Sequence, residues 1–277
     1  MELQIHQIDA FADNLFAGNP AAVMPVPSWP DAALLQAIAA ENNCPETAFY
    51  LPALPEEALP APPGLPAYHL RWFTPSVEVD LCGHATLAAG AQLLEDVHPD
   101  AGAVAFFSRS GWLLARRAGP GAVTIDLPAT LPVTGEVDPA ARAALRVAVL
   151  EALIGRDQIY VLADEAAVRD LTPDLFALGA CPVRGVIVTA PGQASGADYV
   201  ARFFGAGVGA GEDPVTGSAH AQLAPLWAGR LAKKTLVARQ LSRRGGTLTC
   251  RVAGERVELT GTFHRYLTGT VRVPDGD

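Results

Sequence analysis

The sequence predicts an α/β protein, of the α+β kind, that is built from two similar halves. The chain has 277 residues, half of them hydrophobic, which is enough for two domains with substantial cores. Strands, a helix, further strands, a polar glycine-bearing turn and an apolar helix follow one another in this order twice. The two turns, at residues 80–86 and 212–220, each open directly into their helix. This order indicates an internal duplication of supersecondary structure.

Capping residues, turn residues and the spacing of apolar residues predict the helices and strands of the first half. Asp31 is expected to cap an amphipathic helix over residues 32–41. Glu46 begins a short strand at 46–51, and a proline-rich connection follows it. The other predicted strands of this half cover residues 3–11, 68–73, 103–107, 111–116 and 122–127.

In the second half, the apolar spacing of Ala141, Leu145, Val149 and Leu153 predicts a long helix over residues 139–154. Shorter helices are expected soon after it, and the tail is a run of strands with glycine-containing turns. The predicted elements are helices at 165–171 and 173–178 and strands at 159–162, 184–189, 199–204, 236–240, 247–252, 256–260 and 266–273.

Composition excludes several classes of function. The formal net charge is −9 and the basic residues form no long cluster, which argues against nucleic acid as a partner. We see no signal segment and no apolar run long enough to cross a bilayer, so we expect no membrane association and a cytoplasmic protein. The four cysteines lack C-x-x-C spacing, which indicates neither a disulfide framework nor a zinc ribbon. The glycine-rich run at 205–211 is not followed by a helix, so we expect no nucleotide site there.

The two polar turns are the first candidates for a binding site. A helix N-terminus carries unpaired backbone N–H groups and a partial positive charge. Two such ends that face each other would bind a small anion such as a carboxylate. The sequence therefore predicts a small-molecule carboxylate as the ligand.

Six motifs, in the same order along the chain, resemble the phenazine-biosynthesis (PhzF-like) isomerase family. The resemblance implies the diaminopimelate epimerase-like fold, in which two pseudo-symmetric domains each curl a β-sheet around a central helix and the active site lies in the cleft between them. It also implies that the last strand returns to the first domain, so the expected domains are 1–118 completed by about 263–277, and 119–262. The motifs lie at residues 8–11, 18–20, 46–49, 72–75, 80–86 and 211–220.

The resemblance also implies roles for individual residues. Glu46 matches the family's single catalytic acid/base, and His84 and Asp213 match its other catalytic positions. The implied reaction is a cofactor-free proton shift between carbons of a small cyclic amino acid or similar carboxylate, carried out by a homodimer. One base that removes and returns the proton, with fixed dipoles that hold the carboxylate, suffices for such a reaction without a metal. The implied substrate-binding residues are Asn19, Cys82, Gly83, Thr216, Gly217 and Ser218.

Two alternatives remain open at this point. Diaminopimelate epimerases and proline racemases use a pair of cysteines, and Cys82 falls at the first of these positions while Thr216 occupies the second. Cys82 is therefore either structural or the catalytic thiol of an epimerase or dehydratase that acts on a proline-like amino acid. A non-catalytic binding or interaction protein with the same fold is the other alternative. The spacing of Cys82, His84 and His220 does not favour a zinc site.

Overall fold

The computed structural model describes residues 1–205 and 211–274. The chain forms two compact units, Met1–Asp126 with Thr260–Asp277, and Leu127–Leu259. The resemblance placed the domain boundaries at 118/119 and 262/263. The structure places them at 126/127 and 259/260, because residues up to Ile125 still pair with the preceding strand of the first unit. Most of the glycine-rich run, residues 206–210, lies outside the described part of the chain.

The first unit contains two α-helices, one π-helical turn and most of the strands of the first half. The last strand of the chain, β17 (Arg256–Arg272), begins in the second unit and ends in the first. The other elements are β1 (Glu2–Ala10), β2 (Asn19–Pro25), α1 (Ala32–Asn42), β3 (Glu46–Leu51), β4 (Ala67–Phe73), β5 (Glu78–Val79), α2 (Gly83–Gln92), the π-helical turn (Leu93–Val97), β6 (Ala103–Ser108), β7 (Gly111–Gly119) and β8 (Ala122–Pro128).

The sheet of the first unit is mixed and wraps around α2. β1 pairs antiparallel with β17, from Glu2 opposite Arg272 to Ala10 opposite Phe263. The pairs β1–β2, β2–β3, β3–β4 and β4–β6 are antiparallel, parallel, antiparallel and parallel, and β5 is a short antiparallel branch on β4. β7 then pairs antiparallel with β6. All ten residues of α2 are buried, and the helix contacts β1, β2, β3 and β7. A helix that is apolar on every side is stable only when strands cover it on every side.

The second unit contains the remaining helices and strands. They are β9 (Val133–Thr134), α3 (Pro139–Ala144), β10 (Glu151–Ile154), β11 (Gln158–Val161), α4 (Glu165–Arg169), α5 (Leu175–Gly179), β12 (Val186–Pro191), β13 (Tyr199–Gly205), β14 (Gly211–Asp213), α6 (Gly217–Leu231), β15 (Thr235–Gln240) and β16 (Gly246–Ala253).

The strand pairing of the second unit repeats that of the first. The pairs β10–β11, β11–β12, β12–β13 and β13–β15 are antiparallel, parallel, antiparallel and parallel, and β14 branches antiparallel from β13. α6 contacts β15 and β16, and its first eight residues are buried. The helix that follows the polar turn thus has the same place in the strand order of both units. This agreement confirms the duplication that the sequence predicted.

The predicted helix over residues 139–154 is wrong. Asp138 caps a short helix, α3, by accepting hydrogen bonds from the backbone N–H groups of Ala140 and Ala141. The helix ends because Arg146 adopts a left-handed conformation, with φ of 54°. Residues 151–154 then form β10, which pairs with β9 and β11. The apolar spacing fitted a helix, but strand pairing decided the outcome.

The predicted first helix is present, although its cap differs. α1 begins at Ala32, as the sequence indicated, and Asp31 occupies the N-cap position. The Asp31 side chain makes no capping hydrogen bond within the described residues, so this part of the prediction is wrong.

Among the described helices, none is both long enough and apolar enough to pass through a lipid bilayer.

Candidate active site

The candidate catalytic pair of the first unit is Glu46 and His84. Glu46 is the first residue of β3, and His84 is the second residue of α2. The Nε2 atom of His84 lies 3.2 Å from a carboxylate oxygen of Glu46, and the two side chains are 3% and 19% exposed. The resemblance assigned both residues to the catalytic site, and the fold brings them together although they lie far apart in the sequence.

Asn19 fixes the orientation of the His84 ring. Its side-chain nitrogen lies 3.1 Å from Nδ1 of His84, and both residues are buried. An amide NH₂ group can only donate, so Nδ1 accepts and the neutral ring carries its proton on Nε2, towards Glu46. Gly18 allows this arrangement because its φ is +67° and a Cβ there would lie 2.3 Å from the carbonyl oxygen of Ala10.

His84 stays neutral over the physiological pH range. Burial lowers the pKa of His84 from 6.5 to about 3. A neutral imidazole with its proton on Nε2 is a hydrogen-bond donor rather than a base. Although Nε2 lies close to Glu46, it makes no well-aligned hydrogen bond within residues 1–205 and 211–274. Its proton is therefore positioned for the carboxyl group of Glu46 or for a molecule bound beside it.

The buried His84 should make the stability of the protein depend on pH. Since its folded-state pKa lies below the unfolded value of 6.5, the unfolded chain binds a proton that the folded chain does not between pH 6.5 and about 3. The free energy of unfolding therefore falls as the pH drops below 6.5, by about 1.4 kcal/mol per unit from this group. We expect His84→Gln to remove this slope. Urea unfolding of both proteins at about pH 7, 6 and 5 measures it, and parallel curves would contradict the prediction.

Cys82 lies beside the same imidazole. It is the N-cap residue of α2, and its sulfur is 3.5 Å from Nδ1 of His84. Glu46, Cys82 and His84 each place a potential metal-ligand atom within 4.8 Å of one another. This set differs from the Cys82, His84 and His220 combination that the spacing disfavoured. Since Nδ1 already accepts from Asn19, only Nε2 would remain for an ion. The absence of a metal from the reaction stays a prediction.

The second polar turn is held by a different set of contacts. The hydroxyl of Thr216 donates to the carboxylate of Asp213. Gln240, on β15, donates to the backbone carbonyl of Asp213 at 2.7 Å and accepts from the backbone N–H of Thr216 at 2.9 Å. Gln240 was missed by the sequence reasoning, because nothing in its strand pattern shows that a polar side chain points at a distant turn. It is 1% exposed.

The two turns end in equivalent helix starts. Gly83 and Gly217 are the first residues of α2 and α6, after Cys82 and Thr216 at the N-cap positions. Neither N-cap side chain bonds to the helix N–H groups within the described residues. The N–H of Ala219 donates to the backbone carbonyl of Thr216. The N-cap side chains occupy none of the first N–H groups of either helix, as an anion-binding role requires.

His220 belongs to the interior of the second unit. It lies in α6, is fully buried, and its Nδ1 is 2.9 Å from the Tyr199 hydroxyl. Burial lowers the pKa of His220 to about 4. These contacts make His220 part of the packed interior of the second unit.

The expected site residues thus form two groups, each within one unit. Glu46, His84, Asn19 and Cys82 contact one another in the first unit. The second unit brings together another group, and the two glycines begin the helices. The residues of this second group are Asp213, Thr216, Gly217 and Ser218.

Comparisons with known proteins show which family the chain resembles. The model of a family described as phenazine biosynthesis-like protein (PhzC-PhzF) matches residues 8–269. A protein of Pseudomonas aeruginosa named an uncharacterized isomerase is 46% identical over 273 residues, which cover 99% of this chain and 100% of that protein.

Solved structures share the fold. A crystal structure of a phenazine biosynthesis protein of the PhzF family from Enterococcus faecalis has a TM-score of 0.87 and 41% identity, with 99% of this chain and 100% of that chain covered. A hydroxyproline epimerase from Agrobacterium vitis, with bound trans-4-hydroxy-L-proline, has a TM-score of 0.59 at 13% identity and covers 98% and 91%. The second likeness concerns the fold alone, and it shows that this architecture is also that of epimerases.

Proposed function

Because the chain belongs to the phenazine biosynthesis-like (PhzC-PhzF) family, we propose that it is a cofactor-independent isomerase with Glu46 as acid/base. The reaction is a proton shift between two carbons of a small carboxylate or cyclic amino-acid-like molecule. One observation carries the proposal: the partly exposed carboxylate of Glu46 lies 3.2 Å from a buried imidazole nitrogen. A carboxylate beside a fixed neutral donor is a suitable base for a carbon acid.

The chemistry needs no other reactant. Glu46 takes a proton from one carbon, so that a C–H bond breaks and an O–H bond forms. The electron pair is delocalised towards the substrate's unsaturated or carboxylate group, and Glu46 then returns the proton to a second carbon. The Nε2 proton of His84 stabilises negative charge on Glu46 or on the substrate during these steps. The substrate leaves as an isomer with the same atoms and electrons.

The second turn supplies substrate binding in this proposal. The family resemblance assigns this role to Thr216, Gly217 and Ser218, and it assigns a catalytic role to Asp213 in the same turn. The contacts of Thr216 and Gln240 support it, because they hold the Asp213 carboxylate and the start of α6 in fixed positions. Fixed groups bind a substrate at a lower entropic cost than mobile ones.

Isotope exchange tests the proposal. The protein is incubated in D₂O with small cyclic amino acids and unsaturated cyclic carboxylates, starting with trans-4-hydroxy-L-proline. Proton NMR then follows the loss of signal at individual carbons. Deuterium uptake that depends on Glu46 supports catalysis. Binding without exchange would instead favour the non-catalytic alternative.

A second candidate function rests on the thiol of Cys82. Its sulfur is 3.5 Å from Nδ1 of His84, so the thiol lies in the same group of side chains as Glu46. An epimerase or dehydratase that acts on a proline-like amino acid would use this thiol as an acid/base.

The Cys82→Ser variant separates the two candidates. If Glu46 is the acid/base, we expect the variant to keep its exchange rate within about threefold, because serine preserves the size of a buried side chain. If the thiol transfers the proton, the rate falls by about a hundredfold or more. The exchange assay in D₂O measures both cases, and Cys44→Ser, which changes another buried cysteine, serves as the control.

A further inference from the structure

The side chain of Arg184 lies beside the first turn of helix α6, in the second unit. It comes two residues before β12, and its guanidinium nitrogen Nη2 lies 3.3 Å from the hydroxyl of Ser218, the second residue of α6. The guanidinium carbon is 5.6 Å from the centre of the Phe203 ring. The sequence reasoning assigned Arg184 no role, because it read this residue only as the start of a strand.

Buried polar groups hold Arg184 in this position. Asp157, whose side chain is fully buried, forms an ion pair with Nη2 of Arg184. The side chain of Gln222 donates to the Asp157 carboxylate at 2.6 Å and to the carbonyl of Ser218 at 3.0 Å. We call Asp157, Arg184, Ser218 and Gln222 the Asp157 cluster. The cluster ties the arginine to the first turn of α6.

Two glycines leave room for the Asp157 cluster. A Cβ at Gly155 would lie 2.3 Å from the side-chain oxygen of Gln222, and one at Gly185 would lie 2.3 Å from the Phe203 ring. Real Cβ atoms do not approach other atoms this closely, so the backbone accepts only glycine here without a shift. Glycine at these two positions therefore leaves the side chains of Gln222 and Phe203 room to pack beside Asp157 and Arg184.

A positively charged side chain such as that of Arg184 is unusual beside the N-terminus of a helix. The N-terminus of a helix has a partial positive charge, which favours anions and disfavours a guanidinium. Asp157 neutralises one face of the arginine, but 34% of the Arg184 side chain remains exposed. Two buried atoms of the cluster, Nε of Arg184 and Oδ1 of Asp157, have no hydrogen-bond partner in the described part of the chain. The Nε–H of Arg184 is an unused donor, whereas the Asp157 oxygen can only accept a hydrogen bond. A partly exposed guanidinium with an unused donor beside a helix start is suited to an anionic ligand.

We propose that Arg184 and Ser218 bind a carboxylate group of the substrate and thereby determine substrate specificity. A guanidinium matches the planar shape of a carboxylate, while Ser218 and the backbone N–H groups of α6 supply further donors. The proposal rests on the proposed function in one respect, namely that the turn containing Ser218 serves the reaction. Arg184 moves no proton and is a binding residue.

Acetate, the simplest carboxylate, is the probe that tests binding without catalysis. It is titrated into isotope-labelled protein while NMR follows the Nε–H signal of Arg184 and the backbone N–H signal of Ser218. We expect both signals to shift and saturate with acetate, but not with chloride at equal ionic strength. No saturable shift, or an equal shift with chloride, would overturn the proposal.

The variants are chosen so that folding does not decide the outcome. Removing Arg184 alone would leave the buried Asp157 charge unpaired, so the test variant is Asp157→Asn/Arg184→Gln, which removes both charges together and keeps a polar side chain at each position. Its control is Glu151→Gln/Arg230→Gln, an ion pair in which Arg230 lies in the last turn of α6 and stacks on an aromatic ring. We expect the Ser218 signal to respond to acetate in the control but not in the test variant. An equal response in both would contradict the proposal.

Kinetics separates this inference from the proposed function. With a substrate that exchanges deuterium, Arg184→Lys should raise KM by about tenfold and leave kcat within about threefold, because lysine keeps the charge but loses the planar fork. An unchanged KM overturns the role of Arg184. An acetate response at Arg184 together with normal turnover in Glu46→Gln would instead overturn the role of Glu46 and leave the carboxylate site standing.

Discussion

Glu46→Gln is expected to lower the rate of proton exchange by about two to four orders of magnitude while leaving the fold intact. General acid–base catalysis by one positioned side chain contributes roughly 10²–10⁴-fold, and an amide at this position cannot accept a proton from carbon. Glutamine keeps the size of the side chain and an oxygen that can accept from Nε2 of His84. The measurement is deuterium uptake in D₂O under saturating substrate, with circular dichroism to verify folding.

Two further variants complete this test, one as a control for the charge change and one as a smaller change at the same position. Glu41→Gln makes the same charge change on an exposed residue of α1 and should leave exchange unchanged. Glu46→Asp keeps a carboxylate but withdraws it by one methylene, so we expect a smaller loss, of about ten- to a hundredfold. Normal exchange in Glu46→Gln, or an equal loss in Glu41→Gln, would remove Glu46 from the mechanism.

The sequence was informative about the site where residues act through short motifs. The family resemblance assigned Glu46 and His84 to one catalytic site, and the glycine before Asn19 and the two helix-opening turns are visible in the chain itself. Such features are local, so their residue types and spacing survive in the sequence. The duplication was predictable for the same reason, since each half repeats the order of its elements.

What the sequence could not supply depends on pairing between distant segments. Gln240 reaches the second turn from β15, and Asp157 holds Arg184 across strands that are far apart in the chain. No periodic pattern records which polar side chain faces which turn. The error over residues 139–154 has a related cause, because the choice between helix and strand there depends on the partner strands β9 and β11.

A close approach between α2 and β7 in the first unit predicts a strong effect at Gly90. This residue lies in α2, and a Cβ added there would lie 2.4 Å from the Cβ of Ala115 on β7. In an exposed helix, Gly→Ala stabilises by about 1 kcal/mol. Here the helix or the strand must move, and overpacking costs about 3 kcal/mol or more, so we expect Gly90→Ala to lower the free energy of unfolding by about 2 kcal/mol. Urea unfolding measures this change.

Two comparisons identify the contact as the cause. Gly229 lies in α6, and a Cβ there would meet nothing within 4 Å, so Gly229→Ala should stabilise by about 0.5–1 kcal/mol. The same substitution thus has opposite signs in two helices. In Gly90→Ala/Ala115→Gly the methyl group moves from the strand to the helix, and this double variant should be more stable than Gly90→Ala alone. If Ala115→Gly instead adds its own cost to that of Gly90→Ala, the loss does not come from the contact of α2 with β7.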